Sequence, residues 1–135
     1  MTRLLRMFGP VMPTPHVAEV TRAALGAALG LVACDLALWA AGGGDPSHLT
    51  LIAPFGASAF LIFVVPNSPL AQPFSVVTGN VLAAIASLLT LHVTQTPLVA
   101  APLAVAIAIA AMGATRSFHP PAGAVALATV LAARG

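Results

Sequence analysis

The sequence predicts an all-α membrane protein. Of its 135 residues, 59% are hydrophobic and 6% are charged, lysine and tyrosine are absent, and the mean hydropathy is +1.02. Water-soluble domains carry about 25% charged residues, so this chain has too few charges to cover a surface that faces water. The hydrophobic residues also form long runs separated by proline- and glycine-rich breaks. That pattern is typical of membrane helices joined by turns.

Five apolar segments can be compared with the roughly 20 helical residues that cross a bilayer core. They are residues 17–41, 49–65, 74–92, 97–114 and 121–133. The first, third and fourth are long enough to span, and the second is interrupted by Pro54 and stopped by Pro66. The last is too short, so it is a half-helix, a re-entrant segment or the start of a longer helix. We expect about four transmembrane helices plus a short terminal segment that begins at a proline.

Charge and proline placement predict the topology. Prolines and charged residues interrupt the amino-terminal apolar run, which excludes a cleavable signal peptide. Arg3, Arg6 and Arg22 precede or open the first span, so the positive-inside rule places the amino terminus in the cytoplasm. We therefore assign residues 1–16 to a cytoplasmic segment and residues 17–135 to a transmembrane domain of a multi-pass protein of the cytoplasmic membrane. If all four segments span, the loop with Arg116 returns to the cytoplasm.

Two stretches of the chain resemble each other. Residues 54–60 and 121–127 share the pattern Pro-x-Gly-Ala-x-Ala-apolar, and each opens a short segment. Shared composition in an alanine-rich chain is one explanation, and an internal duplication is the other. With four spans the two copies would enter the membrane from opposite sides, as inverted repeats do, and the short helices of such repeats aim their amino ends at an anion.

The most unusual chemistry lies in residues 115–124, where Arg116, His119, Pro120 and Pro121 directly precede an apolar segment. Arginine is expensive near hydrocarbon, and two prolines remove two backbone donors and fix the start of the following helix. Together with residues 54–59 and the linker 68–73, this stretch resembles the HPP family of integral membrane proteins, named for its His-Pro-Pro motif. The resemblance covers roughly residues 23–131.

The resemblance implies about four or more membrane helices and, from plant and cyanobacterial relatives, nitrite transport. Two features depart from the family pattern. Phe74 stands where an arginine often follows the Gln-Pro of the linker, and the chain stops at Arg134-Gly135 where family domains usually continue into another hydrophobic helix. The chain is therefore either a short member or a fragment that needs a partner copy to close its fold.

An anion site follows as a hypothesis. Arg116 and protonated His119 would draw a small anion such as nitrite towards the backbone N–H groups of residues 122–124, and Ser58 would add a hydroxyl. Gly56 and Gly123 would allow close approach. Alternatively, Arg116 anchors the chain in the cytoplasm and His119 caps nearby carbonyls. The candidate substrate-binding residues are Arg116, His119, Pro120, Pro121, Gly123, Ser58, Gly56, Asn80 and Gln72.

Three further features of the sequence bear on function. Asp35 is either an intramembrane functional acid or an acid close to the outer interface. Gly26, Gly30 and Cys34 recur every four residues and predict a stripe for close helix packing. No nucleophile–base–acid set, metal-ligand spacing, cofactor motif or nucleic-acid patch is visible, so we expect no enzyme, no cofactor and no nucleic acid. The leading function is transport of a small anion by a homo-oligomer in the bilayer, and the alternative is a scaffold or sensor subunit.

Overall fold

The structure is a computed structural model that describes residues 14–42 and 52–133. Five helices form this part of the chain, without any strand. They are α1 (Val17–Ala41), α2 (Ile52–Val64), α3 (Pro73–Val93), α4 (Pro97–Thr115) and α5 (Pro121–Ala132). The all-α membrane fold predicted from composition is confirmed, and the predicted helix ends lie within a few residues of the observed ones. Arg3, Arg6, the turn at 43–46 and Arg134 lie outside the described residues.

Three of these helices are long and apolar enough to cross a membrane: α1, α3 and α4. The two shorter ones, α2 and α5, have 13 and 12 residues, which corresponds to about 20 Å or less of helix. Pro54 does not interrupt α2, because it lies in the first turn, where a missing N–H leaves no helical bond unmade. The linker before α3 contains a 3-10 turn at Pro69–Ala71.

Small side chains fill the core between α3, α4 and α5. On each helix they recur about every four residues, which is the spacing that brings them onto one face. They include Ala83, Ala86 and Ser87 on α3, Ala100, Ala104 and Ala108 on α4, and Ala122 and Ala126 on α5. Such stripes let helix backbones approach closely, the main source of packing energy where lipid supplies no hydrophobic force.

The helix α1 packs only against α2 among the described elements. Its glycine stripe receives Phe63 of α2: a Cβ on Gly26 would lie 2.5 Å from the Phe63 ring, and one on Gly30 would lie 3.3 Å from it. The predicted close packing along this stripe is confirmed at these two glycines. The partner is a helix of the same chain, so Gly26 and Gly30 are not free to pack against a second copy.

Both arginines of the described region lie at one end of the bundle. The Arg22 Nη2 donates to the carbonyl oxygen of Phe63 at 3.5 Å, which places the start of α1 beside the end of α2. The α3–α4 turn takes only three residues, so α4 ends where α3 begins, and Arg116 follows α4 directly. It follows that α2 and α5 run in opposite directions. One copy of the repeated sequence pattern lies at the start of each helix, and opposite directions are what an inverted repeat requires.

Candidate functional site

The loop between α4 and α5 begins with an unusual backbone conformation. Arg116 ends α4 in the left-handed region, with φ of 56°, a position normally taken by glycine. Its amide and that of Ser117 donate to the carbonyl of Met112, which closes the helix end. The turn directs the following residues inwards, because Ser117 and His119 are both fully buried while Arg116 and Phe118 are exposed.

His119 is bonded at both ring nitrogens. Its Nδ1 lies 2.9 Å from the carbonyl oxygen of Leu70 in the linker, and its Nε2 lies 2.9 Å from the Ser58 hydroxyl in the middle of α2. A carbonyl oxygen only accepts, so Nδ1 carries the hydrogen and donates it. In the neutral imidazole Nε2 then accepts the hydroxyl hydrogen of Ser58. The imidazole thus joins the linker, α2 and the start of α5.

The imidazole lies well below the end of the bundle. Ser58 is six residues from the last residue of α2, and Gly79, which touches His119, is six residues into α3. At 1.5 Å per residue each distance is about 9 Å along the helix. His119 is therefore about 9 Å along the helices from that end of the bundle.

The absence of a side chain at Gly79 leaves room for His119. A Cβ at this position would lie 2.8 Å from the His119 Cβ and 3.1 Å from the Ser117 carbonyl oxygen, closer than real Cβ contacts. The Ser117 hydroxyl bonds to the Thr115 hydroxyl at 2.7 Å, and Thr115 bonds back to the carbonyl of Ala111. The loop is thus held by its close contact with Gly79 on the side of α3, and by the hydroxyl groups of Thr115 and Ser117 at the end of α4.

Two of the three backbone N–H groups predicted to face an anion at the amino end of α5 are already hydrogen-bonded. The amide of Ala122 donates to the His119 carbonyl at 2.9 Å, and that of Gly123 donates to the Pro120 carbonyl at 3.0 Å. These tight turns follow from the consecutive prolines that start the helix. The prolines hold the carbonyls of His119 and Pro120 where these accept hydrogen bonds from the first free amides of α5. The amino end of α5 also meets the middle of α2 rather than its amino end, so the two short helices do not aim their amino ends at one point.

The other predicted site residues separate into two groups. Pro120 and Pro121 lie beside His119 and shape the loop, whereas Gln72 is exposed and bonds to the carbonyls of Pro66 and Ser68. A Cβ at Gly56 or Gly123 would have nothing within 4 Å, so no other backbone of the described residues comes close there, and the approach of a solute at these glycines stays a prediction. Arg116 is exposed, and no hydrogen bond or ion pair engages its guanidinium within the described part of the chain.

Two partly open cavities lie on the α1–α2 side of the bundle. The larger, about 690 Å³, lies between α1 and α2 and is lined by Glu19, Arg22, Gly56 and Asn67 together with apolar side chains. The smaller, about 340 Å³, is lined by Ser58 and Asn80 among apolar residues of α1, α2 and α3. Phe63 lines both cavities.

Two buried oxygens lack a hydrogen-bond partner among the described residues. They are Oδ1 of Asn80 and Oδ1 of Asp35. The Asn80 amide is oriented by its Nδ2, which donates to the carbonyl of Val76 at 2.9 Å. Buried acceptors without a donor are rare and point to a missing partner. No group of three His, Cys, Asp or Glu side chains with metal-binding geometry occurs within residues 14–42 and 52–133.

Sequence reasoning did not anticipate two members of this site, the Leu70 carbonyl and Ser117, and it did not give Gly79 the role of making room for His119. The Leu70 carbonyl is a backbone group, and the identity of its side chain does not reveal it. Ser117 gave no signal beyond its place in the loop. Gly79 did carry one: it continues the four-residue spacing of Ser75, Ala83 and Ser87 along α3.

Comparison with known proteins gives a consistent family result. The family model of the HPP transmembrane region matches residues 12–135. Two curated proteins of Dictyostelium discoideum, both described as transmembrane proteins, are 45% identical over 93 residues and 43% identical over 91 residues. These matches cover 66% and 64% of this chain but 30% and 32% of those proteins, so the chain spans about a third of their length. No solved structure matches.

Proposed function

The chain belongs to the HPP family of transmembrane proteins, and from this premise we propose that it moves a small anion across the membrane, with nitrite as the first candidate. The observation that carries the proposal is His119, a fully buried imidazole inside an apolar helical domain, placed where two short antiparallel helices meet. Ionisable residues at membrane depth are rare and usually functional, and paired short helices are typical of transporter sites.

The charge distribution favours an anion. Arg22 and Arg116 lie at one end of the bundle, and both are exposed. Arg22 lines the larger cavity together with Glu19, and Arg116 has no described partner, so two cations against one acid would raise the local concentration of anions at this end. Phe63 lines both cavities, and rotation of its ring would connect the larger one to Ser58 and Asn80.

A hydrolytic role for the Ser58–His119 pair is less well supported. The pair has the distance of a nucleophile and its base. However, Ser58 lies in the interior of α2, where backbone N–H groups bond within the helix. The amide of the nucleophile is then not free to stabilise an oxyanion, and catalysis of acyl transfer depends heavily on such donors.

The direct test is nitrite flux into proteoliposomes that contain the purified chain. We expect wild-type flux, a loss of up to about 10-fold at low salt in Arg116→Ala, and recovery in Arg116→Lys, because the exposed arginine acts through its charge. Both variants should fold normally. If the folded wild-type protein moves neither nitrite, chloride nor formate, transport by this chain is wrong and a scaffold or sensor role takes its place.

We also propose a homo-oligomer with the amino terminus in the cytoplasm. Large apolar side chains cover the outer surface of α1, including Leu25, Leu29 and Leu36, and this surface lies about 100° around the helix from the glycines that pack on α2. Crosslinking in native membranes tests the assembly. Labelling of a cysteine introduced at Asn67, in the loop at the Arg22 end, tests the orientation, and labelling from the cytoplasmic side is expected.

A further inference from the structure

The Ser58 hydroxyl offers an anion in the smaller cavity no hydrogen when His119 is neutral. The Leu70 carbonyl holds the hydrogen on Nδ1, so Nε2 accepts from Ser58 and uses the only hydrogen that the Ser58 hydroxyl has. Ser58 then presents lone pairs to the cavity. Asn80 also lines the cavity: one hydrogen of its Nδ2 is used by the Val76 carbonyl, the second is left for a ligand, and its Oδ1 is buried. No charged side chain of the described residues lines this cavity.

Protonation of His119 turns the Ser58 hydroxyl into a donor towards the cavity. A proton on Nε2 makes the imidazolium a donor to the Ser58 oxygen. The Ser58 hydroxyl then no longer donates to Nε2, so it can rotate and point its hydrogen into the cavity. The cavity then holds a hydroxyl donor with a positive charge directly behind it, and charge interactions are strong in a poorly solvated interior. The Leu70 contact is retained, because Nδ1 donates in both protonation states.

We propose that the cavity lined by Ser58 and Asn80 is a binding site for a small monovalent oxyanion, and that the anion binds there together with a proton on His119. This proposal rests on the proposed transport function and adds that the coupling ion is a proton. The balance is one anion and one proton, with no bond broken other than hydrogen bonds, so the occupied site gains no net charge. A cavity of about 340 Å³ is ample for such a solute, since about 150 Å³ suffices for benzene.

The surroundings of His119 make it the group that changes charge. The contacts from α2, α3 and the linker are Ser58, Gly79 and the Leu70 carbonyl, and none of these titrates. From α4, Met112 faces the same region, and Arg116 is exposed at the end of that helix. On α1 the thiol of Cys34 lines the cavity and Asp35 is the next residue, while Glu19 and Arg22 line the larger cavity.

Linkage gives the sign of the pH dependence. Because the anion prefers the protonated site, its affinity should rise as the pH falls, by up to tenfold per pH unit for one coupled proton, and the bound anion should in turn favour proton uptake.

The experiment is calorimetric titration of the purified full chain in detergent with sodium nitrite, at several pH values and in two buffers of different ionisation enthalpy. We expect uptake of about one proton per anion and tighter binding at lower pH. Nitrogen NMR of histidine-labelled protein should show Nε2 of His119 gaining a hydrogen when nitrite is added. A Cys34→Ala variant should still take up about one proton per anion, which assigns the proton to the imidazole rather than the thiol.

Three serine variants separate the site from general effects of losing a buried hydroxyl. Ser58→Ala should weaken nitrite binding at least tenfold at low pH, because the hydroxyl donor is lost, while Ser58→Thr, which keeps a hydroxyl, should retain the affinity. Ser87→Ala removes a buried hydroxyl of α3 that bonds to Ala126 and does not line the cavity, so it should bind nitrite as wild type does.

The outcomes distinguish this proposal from the transport proposal. Nitrite flux without proton uptake, or binding that is equal at all pH values, overturns the coupling and leaves transport standing. Unchanged binding in Ser58→Ala overturns the location. The absence of both binding and flux in folded protein overturns both proposals.

Discussion

The contact between Gly79 and His119 leads to a prediction that can be worked out quantitatively. Gly79→Ala places a Cβ 2.8 Å from the Cβ of His119, against about 3.5–4.0 Å for a normal carbon contact, and 3.1 Å from the Ser117 carbonyl oxygen. Neither neighbour is the end of a flexible side chain, so the loop itself has to move. Overpacking of this kind costs about 1–3 kcal/mol.

Replacement of a helical glycine by alanine also has a favourable term of up to about 1 kcal/mol, because the unfolded chain loses freedom. Gly56→Ala isolates this term, since a Cβ there meets nothing within 4 Å in another short stretch of helix. The helix term cancels between the two variants. We therefore expect Gly79→Ala to be less stable than Gly56→Ala by the overpacking alone, about 1–3 kcal/mol.

Unfolding by SDS in detergent micelles, followed by far-ultraviolet circular dichroism, measures this difference. Fluorescence of Trp39 is less suitable, because that residue lies on α1, which packs only against α2 and is remote from the loop. If Gly79→Ala is as stable as Gly56→Ala, the loop does not press against α3 as described, and the account of how His119 is positioned fails.

Three further substitutions have expected signs. Arg116→Gly should raise stability by about 1 kcal/mol, because it removes a left-handed non-glycine residue, yet should lower nitrite flux; a loss of stability would contradict this. Ser87→Ala should lower stability by about 0.6–1 kcal/mol through loss of the bond to the Ala126 carbonyl, measured by SDS titration. Asn80→Leu should raise stability by about 1 kcal/mol, as an unpaired buried acceptor is removed; lower stability would mean that Oδ1 has a partner.

Much of the fold could be predicted from sequence because membrane helices have strong local signals. Hydropathy and proline placement gave helix ends within a few residues, as at Val17–Ala41 and Pro97–Thr115. In lipid each helix satisfies its own backbone groups, so its limits depend little on its neighbours. The second segment was harder, because Pro54 reads as a break in sequence but occupies a harmless position in the first turn of α2.

The site could be predicted only in part. The loop residues were found because arginine, histidine and prolines are rare in such a chain, and the side-chain pair Ser58–His119 was among the candidates. The second partner of His119 is a backbone carbonyl 49 residues away, and sequence contains no signal for such a group. The prediction of free amides at residues 122 and 123 was wrong for a local reason: the prolines that start α5 also form a turn in which those amides donate to carbonyls.

If the protein transports a solute as proposed, the packing of its helices limits the route. Small side chains fill the space between α3, α4 and α5, and Ala100, Ala104 and Ala108 are fully buried there. A route through this core would have to separate backbones whose close approach holds the domain together. Both cavities instead lie on the α1–α2 side, and α2 reaches the core chiefly through α5 and the Ser58–His119 hydrogen bond. Variants that reduce flux while keeping the fold should therefore be sought on the cavity face of α2, whereas changes in the alanine stripes should act on stability.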